Sequence, residues 1–120
     1  MGYCMWQRDC QDFFIPKEKL RDATLALNEF SQKEQSFEEH LLEAGFETEK
    51  DNQGNVTGLY FTGEKLSDQY EMFQALLPFV KEGAFLEFIG EEFDQWRWVF
   101  RNGKLIEIVP TIVWDMEEAL

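Results

Sequence analysis

The dipeptide Asn102 and Gly103 stands between WRWVFR and KLIEIV, two runs rich in β-branched and aromatic residues. A two-residue hairpin loop that matches the right-handed twist of its strands needs positive φ at both central positions. Asn and Gly reach that region at least cost. The pattern predicts a hairpin over 94–109 and sets its register. Arg101 faces Lys104, Phe100 faces Leu105, Val99 faces Ile106, Trp98 faces Glu107, Arg97 faces Ile108 and Trp96 faces Val109. One face then carries Trp96, Trp98, Phe100, Leu105 and Val109, the other Val99, Ile106 and Ile108. Apolar groups on both faces place this hairpin at the centre of a sheet.

The chain before it supplies the covering elements. Alternation over 3–8 predicts a short strand, continued by 13–15 after a break at 9–12. Pro16 suits the first turn of a helix, where its missing N–H costs nothing, and Leu20, Ala23, Leu27 and Phe30 recur at helical spacing over 17–30. Ser36 followed by Glu39 is a capping box that opens a second helix, with Phe37, Leu41 and Ala44 on one stripe and Gly45 as its terminator. Two strands, 46–50 and 56–62, flank a loop of residues that tolerate left-handed backbone. Ser67 or Asp68 caps a third helix reaching about Val80, distorted in its last turn by Pro78. A strand over 84–89 leads into the central hairpin, and 112–114 adds an edge piece beyond Pro110. The order β–α–α–β–β–α–β–β–β predicts an α+β domain over 1–114. Its mostly antiparallel sheet of about five or six strands packs against two or three helices. An acidic tail follows at 115–120.

Charge narrows the partners. Twenty-four acidic against 11 basic residues give a net charge of −13 over 120 residues. A chain without clustered Lys and Arg has no means of releasing counterions from phosphates, so direct nucleic-acid binding is disfavoured, as is an anionic membrane surface. A basic protein partner remains compatible. There is no apolar run near the ~18 residues a membrane helix needs. MGYCMWQRDC lacks the pattern of a signal peptide, and Trp6 stands where a myristoylation motif has Ser or Thr. Cys4 and Cys10 form no disulfide framework, which suits a reducing cytoplasm.

Chemical motifs are scarce. Cys4 and Cys10 are spaced six apart rather than two, and His40 is the sole histidine. No HExxH, nucleophile elbow or phosphate-binding glycine loop is present, so no catalytic residue, metal ligand or cofactor is indicated. Carboxylates are the main resource: Glu38, Glu39 and Glu43 on the second helix, with Glu47 and Glu49 after it, Glu91, Glu92 and Asp94 before the hairpin, and Glu107 opposite Trp98. Against an aromatic face the Glu107 carboxyl would have a raised pKa and act as an acid. On a solvated face it would pair with Arg97 or Arg101.

The segments MGYCMWQRD, GLYFTGEKLSDQYEMFQALLPFV and GAFLEFIGEEFDQWRWVFRNGKLIEIVPTIVW together resemble a family of small acidic proteins of bacteria and their phages, a family of uncharacterised function. The shared pattern is an MGYCM–QRD start, a TGEKL turn before a helix and a WRWVF-NGK hairpin near the end. Residues 28–51 fall outside it. The resemblance implies a cytoplasmic protein often carried on mobile DNA, and brings no catalytic residues.

The expected function is a non-enzymatic, phage-derived or bacterial interaction protein presenting acidic residues to a basic host protein, with mimicry of nucleic acid as one version. Its binding residues are Glu38, Glu39, Glu43, Glu91, Glu92, Asp94, Glu107 and, as aromatic anchor, Trp98. One alternative is a small enzyme or small-molecule binder with a carboxylate and thiol pocket near Glu107 and Trp98 or at Cys4. Another is an obligate homodimer joined through a sheet face.

Overall fold

The computed structural model describes residues 4–64 and 67–115. In chain order it runs β1 (Met5–Gln11), a 3-10 turn (Lys17–Lys19), α1 (Leu20–Ser31), α2 (Phe37–Glu43), β2 (Phe46–Lys50), β3 (Val56–Phe61), α3 (Gln69–Ala75), β4 (Phe85–Gly90), β5 (Gln95–Arg101) and β6 (Lys104–Ile108). Every strand pairing is antiparallel. The strands form a four-stranded sheet in the order β1-β4-β5-β6 and the hairpin β2-β3. This is an α+β fold.

The β5–β6 hairpin takes the register its loop demands, from Arg101 opposite Lys104 to Arg97 opposite Ile108. It stands at one end of the sheet and not, as expected, at its centre, because β4 pairs on one side of β5 only and no strand pairs on the far side of β6 among the described residues. Asn102 and Gly103 sit at φ 55° and 71°, the left-handed values of a type I′ turn. Trp96, Trp98, Phe100 and Leu105 are buried on one face, as alternation requires. Val109, expected to join them, is 68% exposed because β6 ends at Ile108, before Pro110. The edge piece expected at 112–114 pairs with no strand, and Ile112, Val113 and Trp114 are all exposed.

Trp98 is the centre of the interior. Its ring lies 4.8 Å from Phe88, 5.5 Å from Tyr70 and 6.0 Å from Phe73, in tilted or edge-on contacts that suit aromatic quadrupoles. Phe73 in turn meets Phe46 of the β2–β3 hairpin and Phe100 of β5. Ala23 and Leu27 of α1, Phe37 and Leu41 of α2, and Met72, Phe73 and Leu76 complete one continuous cluster with the inward residues of the strands. Outward residues of the sheet are not part of it. The outer face instead carries Trp6, 55% exposed, and Glu87 held between Arg8 (3.5 Å) and Arg97 (2.7 Å). Arg97 also lies 4.2 Å above the Phe85 ring. An antiparallel sheet tolerates one solvated face in this way.

β1 departs from expectation. It runs through the expected break to Gln11, because its far half pairs with Phe85, Leu86 and Glu87 across a bulge between Gln7 and Asp9. Ile15 makes only an isolated bridge with Val56. Beside the bulge, the Gln7 amide joins β1 to β3. Its Nε2 donates to Leu59 O at 2.8 Å and its Oε1 accepts from Phe61 N at 2.7 Å. One side chain thus takes the place of a peptide group in a ladder. α3 stops at Ala75, short of the expected end, because Pro78 removes a helical N–H and crowds the preceding turn. The expected strand start at Tyr3 and the tail beyond Asp115 lie outside the described residues. Among the described residues no helix is long and apolar enough to cross a membrane.

Replacing Gln7 by Ala leaves Leu59 O and Phe61 N without their partner. Urea unfolding is expected to show a loss of about 1–3 kcal/mol, the cost of stranding half-buried backbone groups.

Candidate functional site

The capping box forms as its spacing requires: Ser36 Oγ accepts from Glu39 N at 3.1 Å, and the Glu39 carboxylate accepts from Ser36 N at 2.9 Å. Phe37, His40 and Leu41 turn inward, which leaves Glu38, Glu39, Leu42 and Glu43 outside. Gly45 ends the helix at φ +93°, and a Cβ there would stand 2.7 Å from the Phe61 ring. β2 follows at once and lies against α2. From Glu34 to Glu64 the chain carries eight acidic residues against Lys50 alone. Glu38 forms an ion pair with Lys50. Partial burial favours the neutral Glu38 carboxyl, but the Lys50 ammonium and the Glu38 backbone N–H outweigh it and hold the pKa below the usual carboxylate range. The Gln35 amide, 2.9 Å from Glu43, lowers that carboxyl too, with help from Lys33. Both are ionised at neutral pH.

A second acidic set occupies the β4–β5 turn. Glu91 Oε1 accepts from Cys4 N at 2.9 Å, and Gly90 N bonds Asp94 O at 2.8 Å. Between Glu92 and Asp94, Phe93 is 79% exposed at φ +67°, an uncommon region for a bulky residue. Leu42, 61% exposed, stands in the same relation to the carboxylates of α2. Each set therefore has an exposed apolar residue beside it in the chain, although the two sets lie on different elements. Neither Leu42 nor Phe93 figured among the residues expected from sequence. The available signals were Leu42 lying off the Phe37, Leu41 and Ala44 stripe, and Phe93 lying within an acidic turn.

Trp98 must be withdrawn from the binding set. It is 1% exposed, and its indole N–H donates to Glu107 Oε1 at 2.9 Å. Glu107 itself is exposed at the rim of a close-packed interior and is not enclosed in a cleft. The expected pairing with Arg97 or Arg101 is not formed: Arg97 is held by Glu87, and Glu107 takes the indole N–H instead. Burial pushes the Cys10 thiol above its ordinary pKa, so it is protonated at neutral pH and a poor nucleophile. Among the described residues no three His, Cys, Asp or Glu side chains converge to hold a metal ion.

His40 is buried and structural. Its Nε2 lies 2.6 Å from Asn28 Oδ1, which also accepts from Gln35 N at 3.0 Å. An amide oxygen only accepts, so Nε2 carries the proton, and the bond ties α2 to α1. Burial lowers the His40 pKa, against the pull of Glu43 and Glu39.

No protein-family model, curated protein or solved structure matches the chain.

Because the folded His40 pKa is depressed, the unfolded chain takes up a proton first as pH falls below about 6.5, the ordinary histidine value. Stability is therefore complete above that value and declines below it, towards the folded pKa. Thermal melts between neutral pH and about pH 5 are expected to show this decline. Asn28→Asp, which places a carboxylate on Nε2, should raise the His40 pKa in an NMR titration and reduce the decline. An unchanged titration would remove the assigned contact.

Proposed function

We propose that this chain is a non-enzymatic binding protein that engages a basic protein through its carboxylate clusters. The observation that carries this reading is an exposed apolar residue standing next to carboxylates in the chain, at Leu42 on α2 and at Phe93 in the β4–β5 turn. An apolar anchor ringed by charge is the composition of a protein-binding patch: the anchor supplies affinity, and the charges steer encounter and reject wrong partners. Glu38, Glu39 and Glu43 supply the charge on α2, with Glu47 and Glu49 on the adjoining strand, and Glu91, Glu92 and Asp94 supply it at the turn. Mimicry of nucleic acid towards a host DNA- or RNA-binding protein is one form this takes. It is consistent with the resemblance to small acidic phage and bacterial proteins. The catalytic alternative is less supported, since Glu107 is exposed, accepts the Trp98 indole N–H and lines no cleft around Trp98.

Capture from the natural host should yield a basic protein whose affinity falls at least about tenfold between 50 mM and 500 mM salt. The triple change Glu38→Lys, Glu39→Lys, Glu43→Lys should abolish capture by α2. Phe93→Ala tests the turn separately. Binding indifferent to salt and to both variants would exclude the electrostatic mechanism.

A further inference from the structure

β6 is the last strand of the four-stranded sheet, whereas the opposite edge, β1, is flanked by β3. The direction of its polar groups follows from two observations. Phe100 N donates to Ala84 O and Phe100 O accepts from Gly83 N, so both point away from β6. Leu105 faces Phe100, so its N–H and C=O point out of the sheet, and Leu105 O meets the Tyr70 hydroxyl there at 2.8 Å. By the two-residue period, Glu107 and Val109 also present their backbone outward, and so would Thr111 and Val113 in an extended continuation.

Such an edge invites another strand. Pro110 does not protect it. As an even-numbered residue it would turn its nitrogen towards the β5 side, where the loss of an N–H denies an incoming strand nothing. Beyond it, Val109, Ile112, Val113 and Trp114 are 68%, 77%, 83% and 83% exposed. These apolar residues follow a strand whose outer side has no strand beside it among the described residues.

We propose that two copies of the chain pair antiparallel along 104–114, with the twofold axis at Val109. On the inner face Leu105 then stands opposite Val113 of the second copy, Glu107 opposite Thr111, and Val109 opposite itself. On the outer face Ile106 stands opposite Ile112, Ile108 opposite Pro110, and Lys104 opposite Trp114, where the ammonium meets an indole face. Leu105 O uses its second lone pair, since Tyr70 occupies the first.

Charge selects both the partner and the register. A chain of net charge −13 repels its own copies at most surfaces, but 104–114 contains only Lys104 and Glu107 as charged residues. The proposed axis sets Glu107 opposite Thr111, so the two carboxylates of the pair do not face each other. An axis at Glu107 would oppose two carboxylates directly, and an axis at Ile106 would leave Ile112 and Trp114 uncovered. A second copy is thus the occupant that matches this edge on both faces.

The test uses the full chain. Sedimentation velocity across about 1–100 μM should show a monomer–dimer equilibrium. Thr111→Pro, which removes an outward N–H from each copy, should weaken dimerisation at least about tenfold, whereas Ile112→Pro, whose N–H points inward, should weaken it less. In a Cys4→Ser, Cys10→Ser background, Val109→Cys should oxidise to a covalent dimer. A hydrogen-bonded antiparallel pair holds its Cα atoms about 5.5 Å apart, within disulfide reach. Glu107→Cys, which would face Thr111 of the second copy and not itself, should not. A monomer at every concentration would overturn the proposal, whether the segment folds back on its own sheet or takes another protein. A covalent dimer from Glu107→Cys and none from Val109→Cys would overturn the register. Reversing the charges of Glu38, Glu39 and Glu43 should leave the dimer intact, so this inference and the acidic-surface reading fail separately.

Discussion

Burying Trp98 governs the architecture. A tryptophan at the middle of a hairpin needs apolar cover over its ring and an acceptor for its N–H, and leaving either unmet is costly. Phe88 from the neighbouring strand, with Tyr70 and Phe73 from α3, supplies the cover, and Glu107 on the facing strand accepts the N–H. Phe73 passes the packing on to Phe46, so the second hairpin is drawn against the same cluster. Truncating such a ring ordinarily costs about 3–5 kcal/mol, a large share of the stability of a domain this size. The residue pair that looked most like chemistry in the sequence therefore serves the core.

Concentrating the core on one side of the sheet leaves two kinds of surface. The helical side ends in carboxylates, because α2 spends its inward stripe on Phe37, His40 and Leu41 and its capping residues on its own backbone. Ion pairing there is confined to a few contacts such as Glu38 with Lys50 and Glu43 with Lys33, and exposed pairs contribute little to stability. The outer sheet face gathers arginines around Glu87 and beside Phe85.

Polar side chains perform the joining where regular structure fails. β1 makes no ladder with β3, and beside its bulge Gln7 supplies a donor and an acceptor that join the two. Asn28 likewise uses one oxygen to hold His40 and the backbone N–H of Gln35, which fixes α2 against α1. Each joint is a side-chain amide, a group that copies the peptide in geometry and in hydrogen-bonding capacity.

Local rules read directly from the sequence wherever a few adjacent residues decide the outcome. Asn102 and Gly103 determined the β5–β6 hairpin and its register, Ser36 and Glu39 the start of α2, Gly45 its end, and the alternation of hydrophobicity the buried face of β5. The division of six strands into four and two and the length of β1 were decided by tertiary contacts, because pairing partners far apart in the chain settle them. The candidate site divides in the same way. Carboxylate positions follow from residue identity, but the sequence could not show that Trp98 is enclosed while Leu42 and Phe93 are left in solvent. Burial depends on what packs against a residue, and distant segments bring that together only when the chain is folded.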